Sequence, residues 1–414
     1  MFPLMNLVGI AVLIFIAFLF SKHRKAIRWR TVLLALAIQW AFGGFVLYVP
    51  LGQKILEAVS EGFVRLISYA KAGSEFLFGS LINQEKFDYV FALDVFPTII
   101  YLSALIGVLY YLGIMGILIK AIGGFLRWIL GTTRTESLAT ASAIFIGNPE
   151  LTVRPYLSKM TTSELFVVMV AAMASISGEV IGGYVGLGIP ANYIIAASCM
   201  SAPGAILFAK LLIPETQQSE DDEDVKLEYK RPSNVLEAAA NGASDGLFIS
   251  LNVAAMLIAF LSIIALINGI LSWAGSFVGL DNLSLQWMLA KVLKYLMFLL
   301  GVPWQDTEVA AQLLGLKTIT NEFVGYFEFS KYILRDANGV FEGFKDLDFK
   351  TGVMISFGLC GYANIGSIAV FLGSISYLAP SRKHDLARFG VYALLASSLA
   401  NLNSAAIAGF FVSL

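Results

Sequence analysis

Long apolar runs, each close to the twenty residues that an α-helix needs to cross a bilayer, constrain this chain most strongly. Only 14% of the residues are charged, against about 25% in a soluble domain, and the mean hydropathy is +0.77. A β-barrel would instead show short segments of alternating polarity. The sequence therefore predicts an all-α polytopic membrane protein with about eight transmembrane helices. The predicted spans are residues 3–20, 32–49, 95–119, 165–187, 193–212, 247–270, 351–378 and 386–413.

The composition argues against several classes of protein. The net charge of −1 provides no basic surface for a nucleic-acid polymer. The cysteines Cys199 and Cys360 lie in apolar segments, where a buried thiol is more usual than a disulfide. The histidines His23 and His384 lie in basic loops, and no cluster has the spacing of a metal site. We therefore expect no catalytic residues, no metal and no cofactor.

Basic residues determine the predicted orientation. Lys22, Arg24 and Lys25 follow the first span, and Arg382 and Lys383 precede the last one. Because positive charge marks cytoplasmic loops, both chain ends are predicted outside. No basic residue precedes the first apolar run, which we interpret as a retained span and not as a signal peptide.

Two segments between the spans differ from the apolar runs. In residues 51–73, Glu57, Glu61 and Arg65 recur every four positions opposite an apolar face. This periodicity predicts an amphipathic helix at the membrane interface. Residues 214–232 carry a run of acidic residues and predict a solvated cytoplasmic linker between two halves of the chain.

Two further segments, residues 134–160 and 285–330, are too polar and too interrupted to be continuous spans. Irregular backbone at membrane depth is tolerated where it is buried in protein or lines a cavity. We therefore predict two re-entrant hairpins with tips at 147–150 and 317–322, the first entering from the cytoplasm and the second from outside. Each hairpin precedes two spans, a pattern typical of the inverted repeats of secondary transporters.

Four polar clusters converge in this arrangement. Carboxylates and carboxamides hold vicinal hydroxyls through paired hydrogen bonds, and the rings of Phe323 and Tyr362 could form apolar walls. This mixture predicts a binding site for a sugar joined to an aromatic ring. The clusters are Asn148 with Glu150, Ser175 and Ser177 with Glu179, Asn321 with Glu322, and Asn364 with Ser367.

Structural roles for these residues are open alternatives. Asn364 and Ser367 could join helix to helix, and Glu179 could be capped by a neighbouring helix end. Lys317 could neutralise Glu322. The cost of burying an unpaired carboxylate nevertheless favours a binding role for Glu322.

The segment GLKTITNEFVGY, residues 315–326, resembles the signature of concentrative nucleoside transporters, in which Gly-x-Lys precedes Asn-Glu-Phe-Val and an aromatic residue. Further stretches are similar to the same family, and the resemblance covers nearly the whole chain. These stretches are TESLATASAIFIG (135–147), RPYLSKMTTSELF (154–166), NVLEAAANGASDG (234–246), LCGYANIGSIA (359–369) and SLANLNSAAIAG (398–409).

The resemblance implies a homotrimer in the bacterial inner membrane, with one transport path in each protomer. It also implies that Glu322, Asn364 and Ser367 bind the ribose hydroxyls of a nucleoside. The motif that would contact the base is Gly-Gln-Thr/Ser-Glu in the family and Gly-Asn-Pro-Glu, residues 147–150, in this chain. Because proline has neither a polar side chain nor a backbone N–H, the resemblance transfers least securely to the base contacts.

The family resemblance also implies a coupling cation, H⁺ or Na⁺, and residues of hairpin 1 bear on which of the two it is. Sodium-coupled members resemble one another in an asparagine at the position that Ala143 occupies in this chain. The carbonyl of Ile146 and the hydroxyl of Ser175 could still contribute ligands, but the loss of one amide oxygen weakens a sodium site. The departure favours protons. Their candidate carriers are Glu150, Glu179 and Glu322.

These observations predict a symporter that imports nucleosides by alternating access. The alternatives are a transporter of the same fold for a nucleobase or a modified nucleoside, and a channel. Residues 1–133 are predicted to form scaffold spans with an interfacial helix, and residues 214–284 the linker with a further scaffold span. Residues 134–213 and 285–414 are predicted to form two transport repeats, each with one hairpin and two spans.

Overall fold

The computed structural model describes residues 2–82, 90–219, 232–277, 279–280, 283–336 and 341–414. Helices form most of this part of the chain, and within it six stretches are long and apolar enough to cross a membrane. A short antiparallel hairpin pairs β1 (Ile333–Arg335) with β2 (Phe341–Phe344). Cys199 and Cys360 are free thiols, as expected. Short 3-10 helices occupy Arg24–Ala26, Gly79–Ile82, Arg154–Tyr156, Trp304–Asp306 and Pro380–Arg382.

The N-terminal part of the chain combines spanning and amphipathic helices. They are α1 (Phe2–Leu19), α2 (Trp29–Leu47), α3 (Pro50–Ser68), α4 (Ala70–Phe78), α5 (Phe91–Tyr111) and α6 (Ile114–Leu130). A proline at the first position of α3 starts that helix, because its fixed φ suits a first turn and its missing N–H costs nothing there. The amphipathic helix predicted over residues 51–73 corresponds to α3 and the start of α4.

The span predicted over residues 95–119 is wrong in its second half. Gly113 has a left-handed backbone conformation, with φ of +79°, which a residue without a Cβ adopts at little cost. α5 ends before this glycine, and α6 begins after it as a separate helix. A single apolar run therefore contains parts of two helices, the spanning α5 and the amphipathic α6. The length of the run does not reveal where one helix ends and the other begins.

The middle of the chain forms the first repeat. Its helices are α7 (Arg134–Ala143), α8 (Pro149–Thr152), α9 (Thr162–Ala174), α10 (Gly178–Gly186) and α11 (Ala191–Leu212). The limbs of hairpin 1 are α7 and α8, and the tip predicted at residues 147–150 overlaps the first two residues of α8. The span predicted over residues 165–187 coincides with an apolar stretch of membrane length, Thr162–Gly186, but its helix is unwound from Ser175 to Ser177.

The C-terminal part contains the second repeat. Its helices are α12 (Val235–Ser276), α13 (Leu285–Leu299), α14 (Thr307–Ile319), α15 (Glu322–Ser330), α16 (Phe349–Leu359), α17 (Ile365–Leu378) and α18 (Lys383–Val412). Hairpin 2 consists of α14 and α15, so the hairpin predicted over residues 285–330 starts too early and wrongly includes α13. The span predicted over residues 351–378 is also unwound, between Leu359 and Ile365. The predicted 247–270 span is the middle of the 42-residue α12.

The two repeats have the same order but start from opposite ends of the molecule. Hairpin 1 starts beside the end of α11, where Glu136 pairs with Lys210 and where Lys22 N donates to Leu212 O at 3.0 Å. Hairpin 2 starts at the other end, where Thr351 Oγ1 donates to Asp306 Oδ2 at 2.6 Å. By the positive-inside rule, the basic turn after α1 predicts that the hairpin 1 end is cytoplasmic.

Packing divides the helices differently from the predicted domains. α5 and α12 pack along each other, whereas α1 packs on α18 and α2 packs on α11. Glycines allow the close approach of α5 and α12, since a Cβ at Gly242 would lie 2.5 Å from Ser103 O. The predicted boundary at residue 133 therefore does not separate two packed units, because α1 and α2 pack on helices of the repeats.

The predicted solvated linker is docked at its start. Thr161 Oγ1 donates to Glu215 Oε2 at 2.6 Å, and the backbone N–H of Thr162 donates to Gln217 Oε1 at 2.8 Å. These bonds hold the chain after α11 against the start of α9. Residues 220–231, with the acidic run, lie outside the described residues.

The buried ion pair beside the start of hairpin 1 is expected to stabilise the fold. Lys210 Nζ contacts Glu136 Oε1 and donates to Ser163 Oγ at 3.0 Å. Lys210→Met deprives the buried Glu136 carboxylate of this cation, which costs about 3–5 kcal/mol. We expect a strong loss of monodisperse protein in size-exclusion chromatography and a lower Tm. Lys331→Met, which removes an exposed cation paired with Glu328, serves as the control, and an equal loss in both variants would contradict the prediction.

Candidate functional site

A cavity of about 510 Å³ lies between the two hairpin tips, the two unwound segments and the middle of α12. Helix ends meet there because each break leaves backbone groups of a helix terminus without intrahelical partners. The cavity thus brings together most of the residues that the sequence selected. The predicted residues that line it are Ile146, Asn148, Ser177, Glu179, Asn321, Glu322, Phe323, Tyr362, Asn364 and Ser367.

Glu322 is the first residue of α15 and its side chain is buried at the tip of hairpin 2. Its Oε1 accepts a hydrogen bond from Tyr184 OH at 3.1 Å, and its Oε2 accepts one from Asn364 Nδ2 at 3.4 Å. The N-terminus of α15 also stabilises negative charge at this position. Each carboxylate oxygen accepts more than one hydrogen bond, so the group retains acceptor capacity toward the cavity.

Lys317 is tied to the protein framework and not hydrogen-bonded to Glu322. Its Nζ donates to Gly358 O at 2.9 Å and to Asn401 Oδ1 at 3.0 Å. Asn401 Nδ2 in turn donates to Ala174 O at 2.7 Å. These bonds join hairpin 2 to the ends of α16 and α9, so Lys317 holds the unwound segments in place.

Two asparagines cap helices at the edge of the cavity. Asn321 Oδ1 accepts from Val324 N at 2.9 Å. Asn364 Oδ1 accepts from Ser367 N at 2.8 Å and from Ser367 Oγ at 3.1 Å. Capping fixes both side chains. Asn364 also joins two helices, which is the structural role that the sequence left open. Its Nδ2 donates to Glu322 on hairpin 2.

The two unwound segments are joined directly to each other. The Tyr362 hydroxyl lies 2.9 Å from Ser177 Oγ, and the Tyr362 backbone N–H donates to Ser175 O at 3.2 Å. Gly361 has a φ of +127°, and a Cβ there would lie 2.5 Å from Ala174 O, so this approach requires glycine. The hydroxyl of Ser175 donates to Ala171 O at 2.8 Å, and Ser175 does not line the cavity.

Of the two polar residues predicted in hairpin 1, one lines the cavity and the other is enclosed behind it. Asn148 precedes α8 without a side-chain capping bond and lines the cavity. Glu150 is fully buried behind the tip, outside the cavity lining. Its Oε1 accepts from Ser374 Oγ at 2.6 Å, and its Oε2 has no hydrogen-bond partner in the described part of the chain. This placement does not support the predicted substrate contact of Glu150.

Sequence reasoning missed Tyr184 and one face of α12. Tyr184 is fully buried and its ring packs in tilted contact with those of Phe323 and Tyr326, at centroid distances of 4.7 Å and 4.5 Å. The helical spacing of polar and aromatic residues in α12 was the available signal, but this helix was interpreted as scaffold. The cavity residues from α12 include Asp245, Phe248, Asn252, Met256 and Phe260.

Three family models match the chain. Residues 8–81 match the Na⁺ dependent nucleoside transporter N-terminus, residues 92–191 match nucleoside recognition, and residues 193–409 match the Na⁺ dependent nucleoside transporter C-terminus. The chain is 48% identical over 415 residues to an uncharacterized transporter of Haemophilus influenzae, covering 99% of this chain and 98% of that protein. It is 43% identical over 418 residues to the nucleoside permease NupC of Helicobacter pylori, with coverages of 99% and 98%.

Solved structures have the same fold. CNTnw in an inward-facing substrate-bound state superposes with a TM-score of 0.94 at 46% identity, covering 100% of this chain and 98% of that one. A CNTnw double variant in an outward-facing state gives a TM-score of 0.95 at 47% identity, with coverages of 100% and 99%. The fold, the matched models and the relatives agree, and the chain belongs to the concentrative, or Na⁺ dependent, nucleoside transporter family.

Proposed function

We propose that this chain is a cation-coupled symporter that imports nucleosides across the bacterial inner membrane by alternating access. The observation that carries the proposal is the buried Glu322 carboxylate, which lies beside Asn364 and Ser367 at a cavity between two hairpin tips. Relatives named as nucleoside permeases and the inward-facing and outward-facing forms of CNTnw support the same function.

The proposed ribose site follows from donor and acceptor types. The carboxylate of Glu322 accepts hydrogen bonds from two adjacent sugar hydroxyls, since bonds to an ionised acceptor are the stronger ones. Asn364 Nδ2, which lies 3.4 Å from Glu322 Oε2, and the nearby Ser367 hydroxyl supply further polar groups beside the carboxylate. Asn321 completes the tip, where its Oδ1 holds the first turn of α15.

The proposed base site lies toward hairpin 1. Phe323 and Tyr362 provide aromatic walls, and the Asn148 amide provides both a donor and an acceptor for the edge of a base. Because Pro149 offers no polar side chain, Asn148 is the polar contact from this tip. A nucleobase without its sugar would leave the remaining acceptor capacity of the Glu322 carboxylate unused, which favours whole nucleosides over free bases.

Asn364 gives a direct test of the ribose site. Asn364→Ala removes one donor near the sugar. The loss of one neutral hydrogen bond, at up to about 1.5 kcal/mol, corresponds to a KM for uridine that is higher by up to roughly tenfold. The matched control is Asn234→Ala, which removes a similar helix cap on α12 away from the cavity. An unchanged KM in the Asn364 variant, measured by uptake into proteoliposomes, would contradict the assignment.

For the coupling cation we propose H⁺, with Glu150 as the carrier. Its carboxyl group is fully buried, and one oxygen has no hydrogen-bond partner in the described residues. Burial of a charged carboxylate without a cation is costly, so a proton held in one state of the hairpin and released in another couples transport to the gradient. Glu179 and Glu322, which line the cavity, are the remaining candidates.

The oxygen atoms available to bind sodium near hairpin 1 support the choice of H⁺ over Na⁺. Ala143 supplies no side-chain oxygen, and the Ser175 hydroxyl, which donates to Ala171 O at 2.8 Å, does not line the cavity. The backbone carbonyl of Ser175 accepts from Tyr362 N. Sodium prefers a cage of oxygen ligands, and these residues fit such a cage poorly.

The proposed moving unit consists of the two repeats together with α1 and α2. It slides against α5 and α12, which pack on each other. The α12 helix exposes large apolar side chains outside the cavity lining, with Ile258 70% and Leu266 64% exposed in the single chain, and we propose that part of this face is covered in a homotrimer. Native mass spectrometry should therefore find three chains per particle, whereas a stable single chain would contradict the trimer.

The experiment that tests the proposed function is gradient-driven uptake into proteoliposomes. Labelled uridine should accumulate above its outside concentration under an inward proton gradient, and uridine, adenosine and inosine should compete better than free bases. Equilibration without accumulation would instead indicate a channel. Accumulation that requires a sodium gradient would overturn proton coupling without affecting the nucleoside assignment.

A further inference from the structure

Tyr184 brings a hydroxyl of the first repeat into contact with the carboxylate at the tip of hairpin 2. It lies near the end of α10, and its side chain is fully buried. Its hydroxyl donates to Glu322 Oε1 at 3.1 Å, whereas Asn364 Nδ2, from the second repeat, donates to Glu322 Oε2 at 3.4 Å. A carboxylate with a donor on each oxygen is restrained against rotation. One group from each repeat therefore orients this carboxylate.

The packing of the Tyr184 ring does not depend on its hydroxyl. The ring is in tilted contact with those of Phe323 and Tyr326, which both belong to α15, the helix that Glu322 begins. Such contacts are made by the faces and edges of the rings. A phenylalanine could therefore make the same contacts, and what the hydroxyl adds is its bond to the carboxylate.

The helix that carries Tyr184 is itself held in place. At the start of α10, the backbone N–H of Gly178 donates to Phe145 O in hairpin 1 at 3.0 Å. Along one face α10 packs closely on α5, since a Cβ at Gly182 would lie 2.5 Å from Leu102 Cδ1. A hydroxyl on a buried ring of such a helix has little freedom, so the carboxylate is oriented before any substrate arrives.

We propose that Tyr184 is a positioning residue for the sugar site, and that its hydroxyl holds Glu322 in the orientation that accepts both ribose hydroxyls. This inference rests on the proposed nucleoside function. The tyrosine takes one acceptor position of Oε1 and leaves the others to the substrate. Without it, the longer bond from Asn364 is the remaining side-chain hydrogen bond that the described residues make to the carboxylate, which can then turn away from the sugar.

Equilibrium binding of uridine and 2′,3′-dideoxyuridine to the purified full-length Tyr184→Phe variant tests this proposal. Uridine should bind about tenfold more weakly than to the parent, the effect of one lost hydrogen bond to a charged group. The dideoxy analogue, which lacks both hydroxyls, should bind as it does to the parent. The ratio of the two affinities should thus fall from roughly 100 to about 10. Equal weakening of both compounds would indicate a purely structural role and would overturn the proposal.

Tyr326→Phe is the matched control, because Tyr326 is as deeply buried and its hydroxyl donates to Ser356 O at 2.9 Å. This variant should keep the parental ratio of affinities. If Tyr184→Phe keeps that ratio as well, the positioning role is wrong while the sugar site stands. Equal affinities of the parent for the two compounds would instead remove the sugar site itself, and this inference with it.

A double variant shows whether Tyr184 acts through Glu322. When Glu322→Gln has already removed the carboxylate, adding Tyr184→Phe should weaken uridine binding by less than about twofold, because the effects of two residues that act through one contact are not additive. A second tenfold loss in the double variant would show that Tyr184 acts independently of Glu322 and would contradict the positioning role.

Discussion

The Glu322→Gln variant is expected to lose nucleoside uptake by at least roughly 100-fold while remaining folded. Two hydrogen bonds to a charged acceptor contribute about 1.5 kcal/mol or more each, and an amide cannot accept both sugar hydroxyls as a carboxylate does. Its NH₂ group would also face the Asn364 Nδ2 donor, which lies 3.4 Å from the present Oε2. Uptake of labelled uridine into proteoliposomes measures the loss.

A matched control separates this effect from a general effect of removing a carboxylate. Glu308 lies on α14, where its partly exposed side chain pairs with Lys291, and exposed pairs contribute little. Glu308→Gln should therefore transport uridine at the parental rate. Equal size-exclusion profiles of both variants establish folding, and normal transport by Glu322→Gln would remove this residue from the substrate site.

The Glu150→Gln variant is expected to lose accumulation under a proton gradient while uridine exchange continues. Glutamine has nearly the same shape, and its oxygen can still accept from Ser374 Oγ, which now lies 2.6 Å from Oε1. It cannot take up or release a proton. The accumulation ratio should fall to one, and exchange of external for internal labelled uridine should persist.

Glu179→Gln provides the comparison for this result. Glu179 lines the cavity, where Asp245 is a further nearby acid, and its variant should still accumulate uridine. Loss of accumulation in the Glu179 variant but not in the Glu150 variant would identify Glu179 as the proton carrier in place of Glu150. Full accumulation in both variants would leave Glu322 as the remaining carrier among the three candidates.

The class of fold and most of the site could be predicted because membrane burial imposes strong rules on sequence. A carboxylate such as Glu322 in an apolar chain is costly, so its presence indicates function. Asn321 and Asn364 could be predicted for a similar reason, because a polar side chain in an apolar segment is suited to cap a helix that begins there. The signature around Glu322 carried the family assignment, which the comparisons confirm.

The breaks themselves could not be placed from hydropathy. The unwound segments at 175–177 and 360–364 are only three and five residues long, so their polar residues are averaged out in an apolar run of about twenty. These segments are stable because distant groups satisfy their backbone. The Asn401 amide does this for Ala174 O, and Tyr362 N does it for Ser175 O. Tyr184 was missed for the same reason, since its bond to Glu322 joins residues distant in sequence.

Equilibrium binding of uridine and 2′,3′-dideoxyuridine to the purified protein tests the central claim most directly. If Glu322 accepts hydrogen bonds from both ribose hydroxyls, the parent should bind uridine roughly 100-fold more tightly than the dideoxy analogue. The Glu322→Gln variant should bind the two compounds with similar, weak affinity. Equal affinities of the parent for the two compounds would contradict the proposed sugar site.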